Sequence, residues 1–276
     1  MKLTSKIILG IILSIFFVSL LFIISFSFTE RKNFRPSNVG NIHLPQENQT
    51  GIELDTFHVI KIDKEAFDSK EYSISPGDLC ELYFDSIRDQ NKPDMLFIPE
   101  ALKDFVSVDT SKDTLNIKLN LWDLCRKYKS DEYNYYSISG INLHFIISKI
   151  NVINELQELS VKIKNIETDS IKIDSRGDVR IDSCKVGVIE PVVRTDRRRL
   201  TIENCIARTI NLDLDYMKNW DIGENCTICE ENFTGSKDYH VTIHKNEAGK
   251  INWLPKNKEA KLNFTIQGDT TQIQIR

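Results

Sequence analysis

Three groups of residues in this chain have the types and spacing to do chemistry. The first is a basic run, Arg197-Arg198-Arg199, with Arg194 and Arg208 on either side. Guanidinium groups pair bidentately with carboxylate and phosphate, so such a run can hold an acidic polysaccharide or a phosphate. It is equally what a solvated turn looks like. Asp174, Asp178, Asp182, Glu190 and Glu203 share the stretch. Nearly every outward position there is charged, so no carboxylate pair stands out for acid–base work and no catalytic residue is assigned. The second group is aromatic: Trp122, Tyr128, Tyr133, Tyr135 and Tyr136 around Asp131 and Glu132. Trp122 and Tyr135 are candidates to stack on a sugar ring, unless the cluster caps an end of the fold.

The third group is the cysteines, Cys80, Cys125, Cys184, Cys205, Cys226 and Cys229. Cys226 and Cys229 with His240 and His244 give C-x2-C-x10-H-x3-H, near a zinc-finger spacing. The segment from His240 to His244 alternates like a strand, however. Strand positions four apart stand about 13 Å from one another, too far to share a metal. No metal or other cofactor is expected. Cys226 and Cys229 read as a disulfide in an oxidising compartment or as two surface thiols. Cys184 and Cys205 fall on equivalent places of the repeat described next, where they either pair or pack as small hydrophobes.

The elements that must position these groups are strands. Val161, Ile163, Ile166 and Ile171 lie at offsets 0, 2, 5 and 10. Val179, Ile181, Cys184 and Ile189 repeat the offsets after 18 residues, and Leu200, Ile202, Cys205 and Ile210 after 21 more. A step of two is a strand with one buried face, and the jump to the fifth place is a chain rounding a corner. A period near twenty with short strands predicts a β-solenoid, whose coils bury their apolar edges only by stacking. The frame extends to Leu212, Leu214, Met217 and Ile222, and again to Val241, Ile243, Asn246 and Ile251. Upstream, short alternating bursts such as Leu115-Asn-Ile117-Lys-Leu119 predict further strands, with one short helix over Leu121–Tyr128 and a single turn after Pro99. The expected class is all-β, an irregular single-stranded parallel β-helix, with a β-sandwich as the alternative.

The front of the chain differs. Ile7–Phe28 is 22 residues without a charge, preceded by Lys2 and Lys6, long enough to cross a hydrocarbon core as a helix. Residues 1–29 are therefore expected to be an uncleaved signal anchor, 30–52 a polar flexible linker and 53–276 the exported body, periplasmic or at the cell surface. A net charge of −4 argues against nucleic acid as a partner.

Phe105-Val-Ser-Val-Asp-Thr-Ser-Lys-Asp-Thr-Leu115-Asn-Ile117 runs hydrophobic strand, acidic turn, then Leu-x-Ile strand, and Ser170-Ile-Lys-Ile-Asp-Ser-Arg-Gly177-Asp-Val-Arg-Ile181 resembles a later coil of the same kind. In these segments the chain resembles the bacterial membrane-tethered adhesin-head GIN-domain family over Phe57 to Leu214, and departs from it in having little glycine at its turns. The resemblance implies a β-helix and a surface or envelope binding scaffold, and it carries no catalytic residues. The expected function is a membrane-anchored, adhesin-like binding or structural protein of the cell envelope without enzymatic activity. Its partners would be the membrane through Ile7–Phe28 and a polysaccharide or an envelope protein. The alternatives are a β-helix enzyme acting on acidic polysaccharide, with Arg194, Arg197, Arg198 and Arg199 at its site, and an envelope assembly or sensor component.

Overall fold

The computed structural model describes residues 39–64, 73–76, 80–86, 92–128, 135–155, 158–194, 197–223, 225–244 and 249–267. The expected anchor, Ile7–Phe28, lies outside them. Among the described residues no helix is long and apolar enough to cross a membrane.

The chain is all-β and its sheets are open. The first large sheet has eight strands in the order Trp220–Ile222, Leu200–Glu203, Val179–Asp182, Ser160–Lys164, Glu81–Ser86, Asn142–Ile147, Asp94–Pro99 and Gln49–Leu54. The second has nine: Lys250–Pro255, Thr227–Gly235, Ile206–Asp213, Lys185–Val193, Glu167–Ser175, Val152–Glu155, Val59–Lys64, Thr114–Leu119 and Val106–Ser111. A three-stranded sheet joins Val39–His43, Tyr135–Ser139 and Ser73–Pro76, and a two-stranded one joins Asp238–His244 to Lys261–Gln267.

From Asn142 to Thr227 the chain passes back and forth between the two large sheets, and each strand lies parallel to the one a circuit away. The repeat in the sequence is the register of these sheets. Val161, Val179, Leu200 and Trp220 stand side by side in the first. Ile171, Ile189, Ile210, Glu231 and Ile251 do so in the second. The inward residues of the first three circuits are buried, and their apolar side chains form one continuous core.

The corner between the sheets has a specific cause. Asn165, Ser183 and Asn204 have φ of 57°, 55° and 52°. This left-handed conformation reverses the pleat, so the next residue (Ile166, Cys184 or Cys205) points inward although it breaks the alternation. Short polar side chains tolerate the conformation because they bond locally. Asn165 donates to Asp85 at 3.0 Å, and Asn204 donates to Asp182 at 2.9 Å. Glycine scarcity is thus met by Asn and Ser at the corners.

Three expectations need correction. The fourth copy of the repeat is not Leu212, Leu214, Met217 and Ile222. Leu212 belongs to the strand Ile206–Asp213 and Leu214 to the turn after it, and the fourth circuit starts at Trp220. The polar segment 30–52 is not a tether throughout. From Val39 it forms a strand beside Tyr135–Ser139, and Gln49–Leu54 pairs antiparallel with Asp94–Pro99. Ile42 and Leu44 are buried there, an alternation that the surrounding Asn, His and Gln concealed. The third concerns order. Glu81–Ser86 lies between Asn142–Ile147 and Ser160–Lys164, parallel to both, so the upstream strands do not simply precede the stack. Phe84 and Phe145 stack there with centroids 4.6 Å apart.

The short helix forms where expected, over Leu121–Tyr128. Asn120 caps it, its side-chain oxygen accepting from the Asp123 N–H at 3.0 Å, and Leu121, Leu124 and Cys125 are buried. The turn after Pro99 is a 3-10 helix, Glu100–Phe105.

Gly177 closes the turn between Glu167–Ser175 and Val179–Asp182. A Cβ there would stand 1.9 Å from the Leu159 carbonyl oxygen, whereas at Gly223 the nearest atom is 3.4 Å away. Gly177→Ala should lower stability by about 2–3 kcal/mol, the cost of forcing packed backbone apart. Gly223→Ala should stay within about 0.5 kcal/mol. Urea unfolding of both variants beside the parent checks this, and equal midpoints would refute it.

Candidate anion-binding cleft

Most outward charges on the stacked circuits are spent on one another. Neighbouring circuits sit about 4.8 Å apart, and opposite charges face across them. Arg180 meets Glu203 at 2.5 Å and Lys185 meets Glu167 at 2.7 Å, while Lys162 pairs with Glu81. Arg194 is one of this set. Its guanidinium grips Asp174 through two bonds of 2.5 Å, and that hydrogen bonding raises its already high pKa. Arg198 reaches Asp178 at 3.4 Å. The carboxylates noted in the sequence are likewise engaged: Asp182 accepts from Asn204 and Ser183, and Glu190 accepts from Asn211. The Asn204 bond chiefly holds Asp182 below the usual carboxylate range.

Arg197 and Arg199 are placed differently. With Lys218, Asn219, Trp220, His240 and Val241 they line a cleft of about 410 Å³. It lies by a break in the sheets. Trp220–Ile222 is the last strand of the first sheet, and the next strand on that side, Asp238–His244, pairs with Lys261–Gln267 instead. Backbone bonds fix the near wall: the Arg199 N–H donates to the Asp178 carboxylate at 2.8 Å, the Val179 N–H to the Arg199 carbonyl at 2.9 Å, and the Leu200 N–H to the Asn219 carbonyl at 3.0 Å. Trp220 is half-buried with its ring 6.0 Å from the buried Phe233, so the indole is held by the core.

The charge of the two cleft arginines is weakly countered among the described residues. Arg197 has no ion pair among the described residues. Arg199 faces Asp221 at 3.5 Å, a looser contact than the 2.5 and 2.7 Å pairs made by Arg180 and Lys185. The lining therefore offers two guanidinium groups beside an indole, with Lys218, Asn219 and the imidazole of His240 around them. That set can accept a carboxylate, sulfate or phosphate and can support a ring beside it.

The far wall is held by a second cluster. Lys256 donates to Asp213 at 2.6 and 2.7 Å and to Asp215 at 2.8 Å. Asp215 also accepts from the Ser236 N–H and hydroxyl at 3.1 and 2.7 Å, and from the Tyr239 hydroxyl. Burial alone would push the Asp215 carboxyl up. The bonds from Lys256, Tyr239 and Ser236 outweigh it and hold the group well below the usual range. The same balance raises Lys256: burial disfavours its charge, and the bonds to Asp213 and Asp215 prevail. The cluster anchors the start of the strand that carries His240.

The remaining sequence candidates lie elsewhere. Trp122 is on the helix Leu121–Tyr128, with the Arg126 guanidinium 5.3 Å from its ring centroid. Tyr135 begins the middle strand of the three-stranded sheet. Trp122 is not among the residues that line the cleft. Cys184, Cys205, Cys226 and Cys229 are all free thiols, with Cys229 exposed on Thr227–Gly235. His240 and His244 share the strand Asp238–His244. Lys218, Trp220 and His240 were not grouped with the arginines in the sequence. The frame that would have aligned Trp220 with Leu200 was shifted by the turn at 214–219, and His240 was weighed only as a metal ligand.

No protein-family model matches the chain, and no curated protein matches it. Among solved structures it is similar to a putative adhesin from Bacteroides fragilis at 16% identity, covering 85% of this chain and 100% of that one with a TM-score of 0.47. A putative adhesin from Parabacteroides merdae shows 10% identity, coverage of 86% and 99%, and a TM-score of 0.39. A putative lipid binding protein from Parabacteroides distasonis shows 11% identity, coverage of 86% and 99%, and a TM-score of 0.37.

Asp215 predicts an acid sensitivity. Its folded pKa is depressed, so its contribution to stability is complete above the unfolded carboxylate value near ~4 and is lost as pH falls below it. In urea, Asp215→Asn should unfold earlier than the parent at pH 7, and the gap should shrink steadily between pH 5 and about pH 2. A gap that stays constant with pH would refute the assignment.

Proposed function

We propose that the protein is a membrane-anchored, adhesin-like binding module of the cell envelope, not an enzyme, and that its cleft takes an acidic polysaccharide. The body is read as an irregular β-solenoid, a single-stranded parallel β-helix, held by Ile7–Phe28 with the C-terminal domain outside the cytoplasm. The in-register parallel circuits support the solenoid reading, and the length and uncharged character of Ile7–Phe28 support the anchor. One observation carries the ligand. Arg197, which has no ion pair among the described residues, and Arg199 line one cleft with Trp220, and the contact of Arg199 to Asp221 is a loose one of 3.5 Å. A polymer with a carboxylate on a sugar ring matches both cations and indole.

The test uses the full chain in detergent against polygalacturonate and a neutral dextran, with polymer length followed in the same samples. Binding should favour polygalacturonate and weaken with added salt. Arg197→Ala should weaken it by about tenfold or more, since a hydrogen bond to a charged group contributes about 1.5–3 kcal/mol. Equal, salt-insensitive binding to both polymers would sink the ligand assignment. Shortened polymer would sink the non-enzymatic reading.

A further inference from the structure

Cys184, Cys205 and Cys226 form a column along one corner of the stack. Each directly follows a short polar residue: Ser183 and Asn204 are corner residues with left-handed φ, and Asn225 donates to Asn204 at 3.3 Å, so the three fall on successive circuits. The Cys184 N–H donates to the Cys205 sulfur at 3.4 Å. The thiols donate to carbonyls beside them: Cys184 to Asp182 at 3.3 Å, Cys205 to Glu203 at 3.0 Å and Cys226 to Ile202 at 3.4 Å. Cys205 also lies beside Cys226: the Thr227 N–H donates to the Cys205 carbonyl at 2.8 Å, and the next residues, Ile206 and Thr227, are partners in register. Cys184 and Cys205 are buried and Cys226 is partly exposed, so the column meets solvent at one end. Cys229, which the sequence suggested as the partner of Cys226, lies on the strand beyond the corner and outside the column. Adjacent circuits stand about 4.8 Å apart, within the Cα separation that a disulfide accepts.

We propose that this column is an oxidation site at which Cys205 and Cys226 form a disulfide, with a low-molecular-weight disulfide, RSSR, as the oxidant. The Cys226 thiolate attacks RSSR, forming a mixed disulfide and releasing RS⁻. The Cys205 thiolate then attacks the Cys226 sulfur, expels the second RS⁻ and closes the bond. Two protein thiols are oxidised, RSSR is reduced to two RSH, and the two thiol protons end on the released thiolates. Cys226 is the entry because it alone of the three is not fully buried. Hydrogen bonding with Cys205, then burial, pushes the Cys226 thiol well up. Hydrogen bonding with Cys184 pushes Cys205 up to about 11. Thiolate is therefore scarce at neutral pH, and the reaction accelerates as pH rises. The bond ties the corner after Leu200–Glu203 to the corner after Trp220–Ile222, stapling the near wall of the cleft. It does not depend on what the cleft binds.

The experiment uses the full chain carrying Cys229→Ser, so that the exposed thiol cannot contribute, with oxidised glutathione at pH 7 and pH 9. Free thiols are counted, and tryptic fragments are read by mass spectrometry. Two thiols should be lost, with Leu200–Arg208 linked to the fragment spanning 219–237. The rate should rise by about a hundredfold over the two pH units, following the thiolate fraction. Adding Cys184→Ala should leave that link in place, and adding Cys226→Ser should abolish thiol loss. Unchanged oxidation without Cys226, a Cys184–Cys205 link, glutathione retained on Cys226 without closure, or no thiol loss at pH 9 would each overturn the proposal.

Discussion

Parallel pairing at a fixed step of 18 to 21 residues is the constraint from which most of this structure follows. Once two circuits share a register, every side chain sits about 4.8 Å above its counterpart. Inside, like stacks on like, and Ile171, Ile189 and Ile210 form one apolar row. At the corner, side-chain amides bond from circuit to circuit, as where Asn225 donates to Asn204 at 3.3 Å. Outside, a row of like charges would be repulsive at this spacing, so acid alternates with base or amide bonds to amide. Asn252, Asn232 and Asn211 form such an amide row, with bonds of 2.7 and 2.9 Å.

The same constraint explains why the cleft stands out. A surface whose charges are neutralised by its own repeat has little left for a ligand, however many arginines it displays. Arg194, held by two bonds to Asp174, is in that condition. Where the first sheet ends after Trp220–Ile222, Arg197 and Arg199 share a cavity with an indole, and Arg197 has no ion pair among the described residues. The site arises from an interruption of order, not from the density of basic residues.

What the sequence revealed follows from the same physics. Three circuits were legible because Val161 to Ile210 keeps one offset pattern and strictly apolar inward residues. The fourth was not, since Trp220, Cys226 and Glu231 occupy its inward row; Glu231 is only 1% exposed where its neighbours in register are isoleucines. A local search then preferred Leu212 and Leu214, which are buried for another reason. The Asn120 cap was not singled out, but the short helix over Leu121–Tyr128 was legible. The placement of Glu81–Ser86 was not, because pairing between strands about sixty and eighty residues apart leaves no local period. The arginines were visible as a run, yet which of them faced a carboxylate depended on the neighbouring circuit. Lys218 and His240 joined them only through the break in the sheets.

The inserted strand Glu81–Ser86 also bears on how the molecule holds together. An array in which each unit touches only its neighbours is modular: it can be shortened, extended or nucleated anywhere. Here a strand from the first third of the chain fills the seam between Asn142–Ile147 and Ser160–Lys164, while Val59–Lys64 pairs parallel with Val152–Glu155 and joins it to Thr114–Leu119. The later circuits thus begin on a foundation laid by distant sequence. Cutting the chain near residue 140 would yield no autonomous half, and the stack gains cooperativity at the expense of evolutionary interchangeability of its repeats.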